Sequence, residues 1–454
     1  MFYLSRKLFI QSLLSKTVLA AIVAISPLYQ ASAKETQLYG QNQTLTLERA
    51  IQVAQEQDPW LQSNRYRQQV VTAQSKAAST LPDPMVSVSV ANLPVDSFDF
   101  SQEAMTQLKL GVSQSLPRGD TLALSEKRLQ QLSEEFPLQR QDRKAKVRAA
   151  ISQLWLDIFL TQRTIKLIEQ DRPLFEQLVE TTSLNYSSAV GQTRQQDVIR
   201  AQLELTRLDD RLSQLRQQLV TYKAQLGEWL TYDHQSGREL SSIQLPDSLP
   251  SLDLSETIDN HTIDNTEQLV QHISRHPQLL AFEQKVKASN TRIELAEQSY
   301  KPQWSLNASY GYRDQDPMGN SRSDFFSVGV SFDMPLFTEQ RQDQEVTATI
   351  KEREAVKADK WLLLRSMLAQ VRNYHGQLSE LDKRRQLYRS RLLREMQQQS
   401  EATLNAYTND RGDFTDVMRA RIAELNSKIE ALTLDINYLK TVAQLNYLLT
   451  QAEQ

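Results

Sequence analysis

The sequence predicts a mainly helical chain that carries a small β part suited to lipid and is built as two copies of one unit. Three observations predict it. Four runs of alternating apolar and polar residues stand in two pairs, at residues 84–117 and 302–335. Most of the remaining chain has helical periodicity, and two segments of it hold sustained heptads. Landmarks of the first half also recur in the second at one constant spacing, the mark of an internal repeat.

In the first pair of runs, Val86, Val88 and Val90 alternate with Ser87 and Ser89, and Leu108, Leu110 and Val112 alternate with Lys109, Gly111, Ser113 and Ser115. In the second, Trp304, Leu306, Ala308, Tyr310 and Tyr312 alternate with Ser305, Asn307, Ser309 and Gly311, and Phe326, Val328, Val330, Phe332 and Met334 alternate with Ser327, Gly329, Ser331 and Asp333. Strand side chains point to opposite faces in turn, so each run has one apolar face and one small, polar face. Strands of about 9–11 residues, apolar outward and polar inward, are what a membrane-spanning barrel needs. A soluble hairpin packed on a core would show the same alternation. Lipid is favoured because Ser, Gly and Asn suit a crowded aqueous lumen, and because the rest of the chain offers these strands no core. Tyr310, Tyr312, Phe325, Phe326 and Phe332 are candidates for interfacial aromatic girdles, a role that a soluble β core would also give them.

The 454 residues include 11 Gly, 14 Pro and no Cys, with 24% charged residues and a net charge of −3. There is no concentrated basic patch, so nothing points to a nucleic-acid partner. Without Cys there is no disulfide, thiolate metal site or thiol nucleophile. The N-terminus reads as a secretory signal at residues 1–33: Arg6, Lys7 and Lys16 form the positive region, residues 18–25 the apolar stretch, and Ala31-Ser32-Ala33 the cleavage site. The alternative is an N-terminal anchor, but the apolar run is too short to cross about 30 Å of hydrocarbon as a helix. An exported chain without another long apolar segment crosses a membrane, if at all, by strands.

Taken in order, residues 45–57 read as a short helix. Asp58-Pro59 breaks it, and a second helix runs to about Thr80, ended by Pro82 and Pro84. After the first hairpin a long helix spans about 120–189, roughly 105 Å at 1.5 Å per residue, with kinks expected at Pro137 and Pro173. A Gly-containing turn at 186–191 leads to a return helix at about 197–232. Its seam is Leu205, Leu208, Leu212, Leu215, Leu219, Tyr222, Leu226 and Trp229. A polar belt follows at 234–265. The unit then repeats: Pro277 lies 218 residues after Pro59, and the same spacing relates Pro302 to Pro84, Gly329-Val330-Ser331 to Gly111-Val112-Ser113, and Pro335 to Pro117. The second long helix spans about 340–407, with Gly376 as its one interior concern. A turn at 407–412 and a return helix at about 413–450 complete it, with a seam of Ile422, Leu425, Ile429, Leu432, Ile436, Leu439 and Ala443. The repeats are therefore set at 34–265 and 266–454. A return helix stacked end to end with the helix at 277–300 matches one long helix in length.

Four strands cannot close a barrel, and an open edge in lipid leaves backbone groups unpaired at several kcal/mol each. The chain must therefore assemble, with two copies giving eight strands or three giving twelve. The duplicated hairpins, the long helices, and the tip segments Val190-Gly191…Asp197-Val198 and Tyr407…Gly412…Asp416-Val417 resemble the TolC-type outer-membrane efflux channel family. The stretches Leu81-Pro-Asp-Pro-Met-Val, Ala91-Asn-Leu-Pro and Pro117-Arg-Gly-Asp resemble its heavy-metal branch. The resemblance implies a homotrimer in the outer membrane: a twelve-stranded transmembrane β-barrel, four strands per chain, continued into the periplasm by an α-helical barrel. It also implies a periplasmic adaptor and an inner-membrane pump of the RND type as partners. The function implied is passive export of small molecules or metal cations. The alternative is an exported periplasmic coiled coil, structural or adhesive, without a pore.

No residue constellation suggests an enzyme, a cofactor or a metal site. His234, His261, His272, His276 and His375 lack ligand spacing and are expected at the surface. Asp413 and Asp416 stand where they can cap the return helix. By resemblance, the Asp of each Asp-Val pair, Asp416 and Asp197, lines a periplasmic gate that symmetry turns into a ring. Arg419 stands where some members carry another Asp, so a mixed-charge ring is expected. Val190, Gly191, Gln192, Arg411 and Gly412 are the adaptor-docking candidates, with simple loop closure as the alternative. Arg-Gly-Asp occurs at 118–120 and 411–413, where Gly turns the chain and Asp is expected to cap a helix.

Overall fold

The structure, a computed structural model, describes residues 44–187, 194–230, 244–254, 263, 265–409 and 411–453. The expected signal segment lies outside them. The chain divides into Met1–Thr44 and Leu45–Gln454, and the elements below belong to the second unit.

Helix α1, Leu47–Glu56, is capped by the Thr46 hydroxyl and buries Leu47, Ala50, Ile51, Val53 and Ala54, the apolar face that its short sequence offers to α4. Helix α2, Pro59–Ala78, starts on Asp58, whose carboxylate accepts the Trp60 amide at 3.0 Å. Proline in the first turn loses no helical hydrogen bond. Arg143 of the long helix also reaches Asp58, at 2.7 Å, so the cap doubles as a tether. Strands β1 (Met85–Ala91) and β2 (Gln107–Leu116) follow, then α3 (Thr121–Ser133), α4 (Glu135–Ser187) and α5 (Gln195–Leu230). The second pass gives α6 (Thr266–Ile273), α7 (Pro277–Glu297), β3 (Trp304–Tyr312), β4 (Phe325–Phe332), α8 (Gln342–Leu387), α9 (Leu393–Thr408) and α10 (Phe414–Leu448). The same order of elements thus runs twice.

The first long helix is not continuous as expected. It stops at Ser133 and restarts at Glu135. Pro137 then falls in the first turn of α4, where a missing N–H costs nothing, so the chain accommodates it by a restart rather than a kink. Pro173 lies inside α4. In the second copy α8 runs through Gly376 without interruption. Its irregularity is a π turn at Tyr388–Leu392, in a stretch without Gly or Pro. There Arg385 and Arg389 converge on Asp435 of α10, each at 2.7 Å, and the Arg385 guanidinium lies 4.0 Å from the centroid of the Tyr438 ring.

The helices pack side by side. Near the strands the order is α2, α3, α7, α8; farther away it is α5, α4, α10, with α8 and then α9 beside α10. Helices α7 and α10 thus lie along successive lengths of α8, the end-to-end stacking expected from their lengths. The return-helix heptads make the far core. Leu208 and Leu212 of α5 and Leu425 and Ile429 of α10 close on Ile168 and Phe175 of α4, with Phe414 and Met418. A second core joins Leu269 and Ile273 of α6, Leu364, Met367 and Val371 of α8, and Leu445 and Leu448 of α10. The belt residues 244–254 lie against this framework: Asp247 takes Arg163 and Lys166 of α4, and the Asp253 carbonyl accepts Asn446.

His276, expected at the surface, is fully buried. It caps α7, its Nδ1 accepting the Gln278 amide at 3.2 Å, while Nε2 faces the Tyr447 carbonyl oxygen at 3.2 Å. A neutral ring protonated on Nε2 satisfies both partners. Burial pulls its pKa below the ordinary 6.5, against the opposing pull of Asp142 and the Tyr447 hydrogen bond, with Lys146 adding to the depression. Below pH 6.5 the unfolded chain therefore takes up a proton that the folded chain refuses, and stability falls as the solution is acidified. The thermal midpoint of the wild type is expected to drop more steeply than that of His276→Asn between about pH 7 and pH 5, measured by circular dichroism. Parallel slopes would remove His276 as the cause.

Candidate functional site

The four strands form one antiparallel sheet in the order β1-β2-β3-β4. Pairing of β2 with β3 joins the two repeats, with Gly111 opposite Ser309. The register collects the apolar residues into rows on one face. Val88, Leu110, Tyr310 and Phe326 form one row, and Val86, Val112, Ala308 and Val328 the next. This face is uncovered: Val86 is 64% exposed, Val88 69%, Phe326 72% and Val328 70%. Aromatic residues stand at both ends of it. Trp304 and Phe332 pack at 4.6 Å near the helices, and the Tyr310 hydroxyl donates to Asp324 near the loops.

The opposite face is small and polar. Ser87, Gly111, Ser309 and Ser327 form one row, and Ser113, Asn307 and Gly329 another. Glycine leaves room for polar side chains to lie flat there. A Cβ at Gly111 would meet Ser87 Oγ at 2.7 Å, and one at Gly329 would meet Asn307 Oδ1 at 2.4 Å. Phe325, expected in a girdle on the apolar face, points to this polar face instead, where the Arg313 guanidinium lies 3.8 Å from its ring centroid. Among the described residues, β1 pairs only with β2 and β4 only with β3.

Where the sheet meets the helices, charges are paired across the two repeats. Arg118 bonds Asp333 and donates to the Lys301 carbonyl at 2.7 Å, and Lys301 Nζ reaches Asp120 at 3.1 Å. Gly119 adopts a φ of +44°, and a Cβ there would strike Lys301. The expected cap from Asp120 is absent: its carboxylate is spent on Lys301, and its own amide donates to Gln298 Oε1 at 3.1 Å.

At the far end, α9 turns into α10. Arg411 donates its amide to the Ala406 carbonyl at 2.8 Å, and a side chain at Gly412 would crowd the Tyr407 amide at 3.0 Å. The Tyr407 and Phe414 rings meet edge to face at 5.8 Å. Asp413 caps α10 as expected, accepting the Thr415 amide at 2.9 Å. Asp416 does not cap; its exposed carboxylate pairs with exposed Arg419 at 2.9 Å. Asp197 is only 7% exposed, and its carboxylate turns back to the Arg194 amide at 3.1 Å, closing the first turn of α5. The structure thus brings Asp416, Arg419, Gly412 and Arg411 to one turn and folds Asp197 into its own helix. Val190, Gly191 and Gln192 lie outside the described residues.

Sequence reasoning missed the polar rungs between elements. Arg200 and Arg211 of α5 donate to Thr415 and Asn426 of α10 at 2.9 and 2.8 Å. Buried Glu424 is tied to Lys428 at 3.0 Å, and Lys428 to Asp171 of α4 at 3.4 Å. Burial opposes ionisation of Glu424, but the hydrogen bond and charge of Lys428 hold its carboxyl below the usual range. The i, i+4 spacing of Glu424 and Lys428 was the available signal. Among the described residues no group of three or more His, Asp or Glu is placed to hold a metal, and no helix is long and apolar enough to cross a membrane.

Residues 269–451 match the family described as Outer membrane efflux protein. No protein of curated function matches the chain. Solved structures share the fold along nearly its whole length. The outer-membrane channel OprN has 15% identity and a TM-score of 0.72, covering 89% of this chain and 90% of its own. The outer membrane protein VceC of Vibrio cholerae has 14% identity and a TM-score of 0.72, covering 89% and 96%. CusC, described for its folding and transmembrane channel formation, has 14% identity and a TM-score of 0.68, covering 92% and 96%. The resemblance to outer-membrane efflux channels and the mixed architecture of long helices with a small antiparallel sheet are borne out by these matches.

Proposed function

We propose that this chain, which falls with the outer membrane efflux proteins by its fold and by the match of its second half, is one subunit of a passive trimeric export duct. Its sheet sits in the outer membrane, with the apolar rows against lipid and the Ser, Gly and Asn rows around water. Its helices extend into the periplasm, where their far turns meet an adaptor coupled to an inner-membrane pump of the RND type. The carrying observation is the uncovered apolar face of a sheet with two open edges. Water penalises that face, and lipid penalises those edges. Both penalties vanish when sister copies pair edge to edge in a bilayer. Small molecules or metal cations would pass through the lumen without chemistry.

The exposed pair Asp416 and Arg419 is the proposed gate: repeated by symmetry, it makes a ring of alternating charge at the far turn. Asp197 contributes by holding the start of α5, and Arg411 and Gly412, with Val190, Gly191 and Gln192, form the proposed adaptor contact.

Two experiments test this reading. An arginine on the proposed lipid face costs about 2–4 kcal/mol at mid-membrane and little on the lumen face. Val328→Arg is therefore expected to deplete the outer-membrane fraction and abolish heat-modifiable migration, while Ser327→Arg keeps both. Equal behaviour of the two, or a wild type that washes out with salt, would favour a poreless periplasmic coiled coil. In planar bilayers Asp416→Ala is expected to raise single-channel conductance; unchanged conductance would remove the pair from the gate.

A further inference from the structure

We infer that the outer part of the lumen is lined by a ring of Lys109 ammonium groups that makes the duct select for anionic cargo. The inference rests on the proposed closure of copies around the sheet's polar face. On the four strands of one copy that face carries Met85, Ser87, Ser89 and Ala91, Gln107 to Ser115 at alternate positions, Ser305 to Gly311 likewise, and Phe325 to Ser331 likewise. Lys109 is its one charged side chain. It is exposed, and it forms no ion pair or hydrogen bond among the described residues. Its row is Ser89, Lys109, Gly311 and Phe325, near the loop end of the sheet and away from the helices.

Arg313 adds a second positive charge beside this row. Arg313, two residues beyond Gly311, lies over the Phe325 ring and so belongs to the same face. Its guanidinium donors are taken by backbone carbonyls, Ser323 at 2.7 Å and Ala104 at 3.1 Å. Asp324 offsets Arg313 in part, accepting its backbone N–H at 2.9 Å, but it is anchored to the Tyr310 hydroxyl on the opposite face. The loops beyond the strands also carry Asp96, Asp99, Glu103, Asp314 and Asp316. Asp99 accepts the Ser101 amide at 2.8 Å and Asp316 the Asn320 amide at 2.8 Å, bonds that hold both carboxylates ionised outside the strand wall. At the other end of the sheet the charges cancel in the pairs Arg118–Asp333 and Lys301–Asp120. Along the strand positions of the polar face, the charge on the wall is therefore the positive charge of Lys109. Rings of Lys or Arg in a pore favour anions, and low-dielectric walls focus their field. Carboxylates, sulfates and phosphates fit such a ring, whereas bare metal cations are opposed by it.

The test is ion selectivity of the full-length protein in planar bilayers. Measurements use a potassium chloride gradient at low salt, because screening extends to about 30 Å at 0.01 M and shrinks to about 10 Å at 0.1 M. The wild type is expected to give a reversal potential on the chloride side. Lys109→Gln should move it toward zero, and Lys109→Glu should reverse its sign. Inorganic triphosphate added from the loop side should block wild-type current and lose that block in Lys109→Glu. Trimer migration on gels confirms that both variants assemble. Conducting channels whose reversal potential and triphosphate block are unmoved by either substitution overturn this inference alone. A wild type that forms no channel overturns the proposed duct and this inference with it.

Discussion

Backbone amides and carbonyls at the edges of a four-stranded sheet cannot be left unpaired in hydrocarbon, and this constraint organises the rest of the molecule. The same sheet also cannot stay in water as it stands, because valine, leucine and phenylalanine rows occupy one whole face with nothing packed behind them. A helix could have covered that face, yet the helices pack on one another beyond the end of the strands. In the proposed duct the sheet finds both its solvent and its neighbours outside the chain: lipid takes the apolar face, and other copies take the edges of β1 and β4.

The helical part continues this logic without hydrocarbon. Helices pack side by side rather than around a single centre, so each is buried mainly by its two neighbours, and α2 and α8 are left as flanks near the sheet. The join between sheet and helices is electrostatic and crosses the duplication, with Arg118 and Asp120 from one repeat meeting Asp333 and Lys301 from the other. The strand pairs are thereby locked to each other as well as to the shaft. At the far end the locking is looser: Asp413 fixes the start of α10, while Asp416 and Arg419 hold only each other at the surface.

Much of this was legible in the sequence, for physical reasons. Strand alternation and heptads are periodic signals, and a repeat strengthens each by stating it twice, so the strands and the return helices stand close to where they were expected. The β2–β3 register was not legible, because it joins residues nearly two hundred positions apart, and nothing local encodes which rows meet. The π turn at Tyr388–Leu392 had no Gly or Pro to announce it; its surroundings are tertiary, two arginines drawn to Asp435. Asp120 looked like a helix cap because the motif around it is local, but Lys301 from the other repeat takes its carboxylate. Phe325 stands one residue out of phase with the apolar face, and its pairing with Gly311 puts it on the polar side, beside Arg313. His276 was read as a surface residue because its spacing suggested no ligand, whereas the fold uses it as a buried cap.

The claim that sister copies complete the sheet is tested most directly by disulfide trapping between β1 and β4, which the absence of native cysteine makes clean. One cysteine is held at Ser327 on β4 while a second is scanned along Met85–Ala91 on β1. Within a copy these strands are three positions apart in the sheet, roughly 14 Å at the usual strand spacing, beyond the ~7 Å between Cα atoms that a disulfide tolerates. Oxidation of membranes should give covalent dimers and trimers at the matching register on non-reducing gels. Monomer alone at every position along β1, from protein present in the outer membrane, would contradict the account.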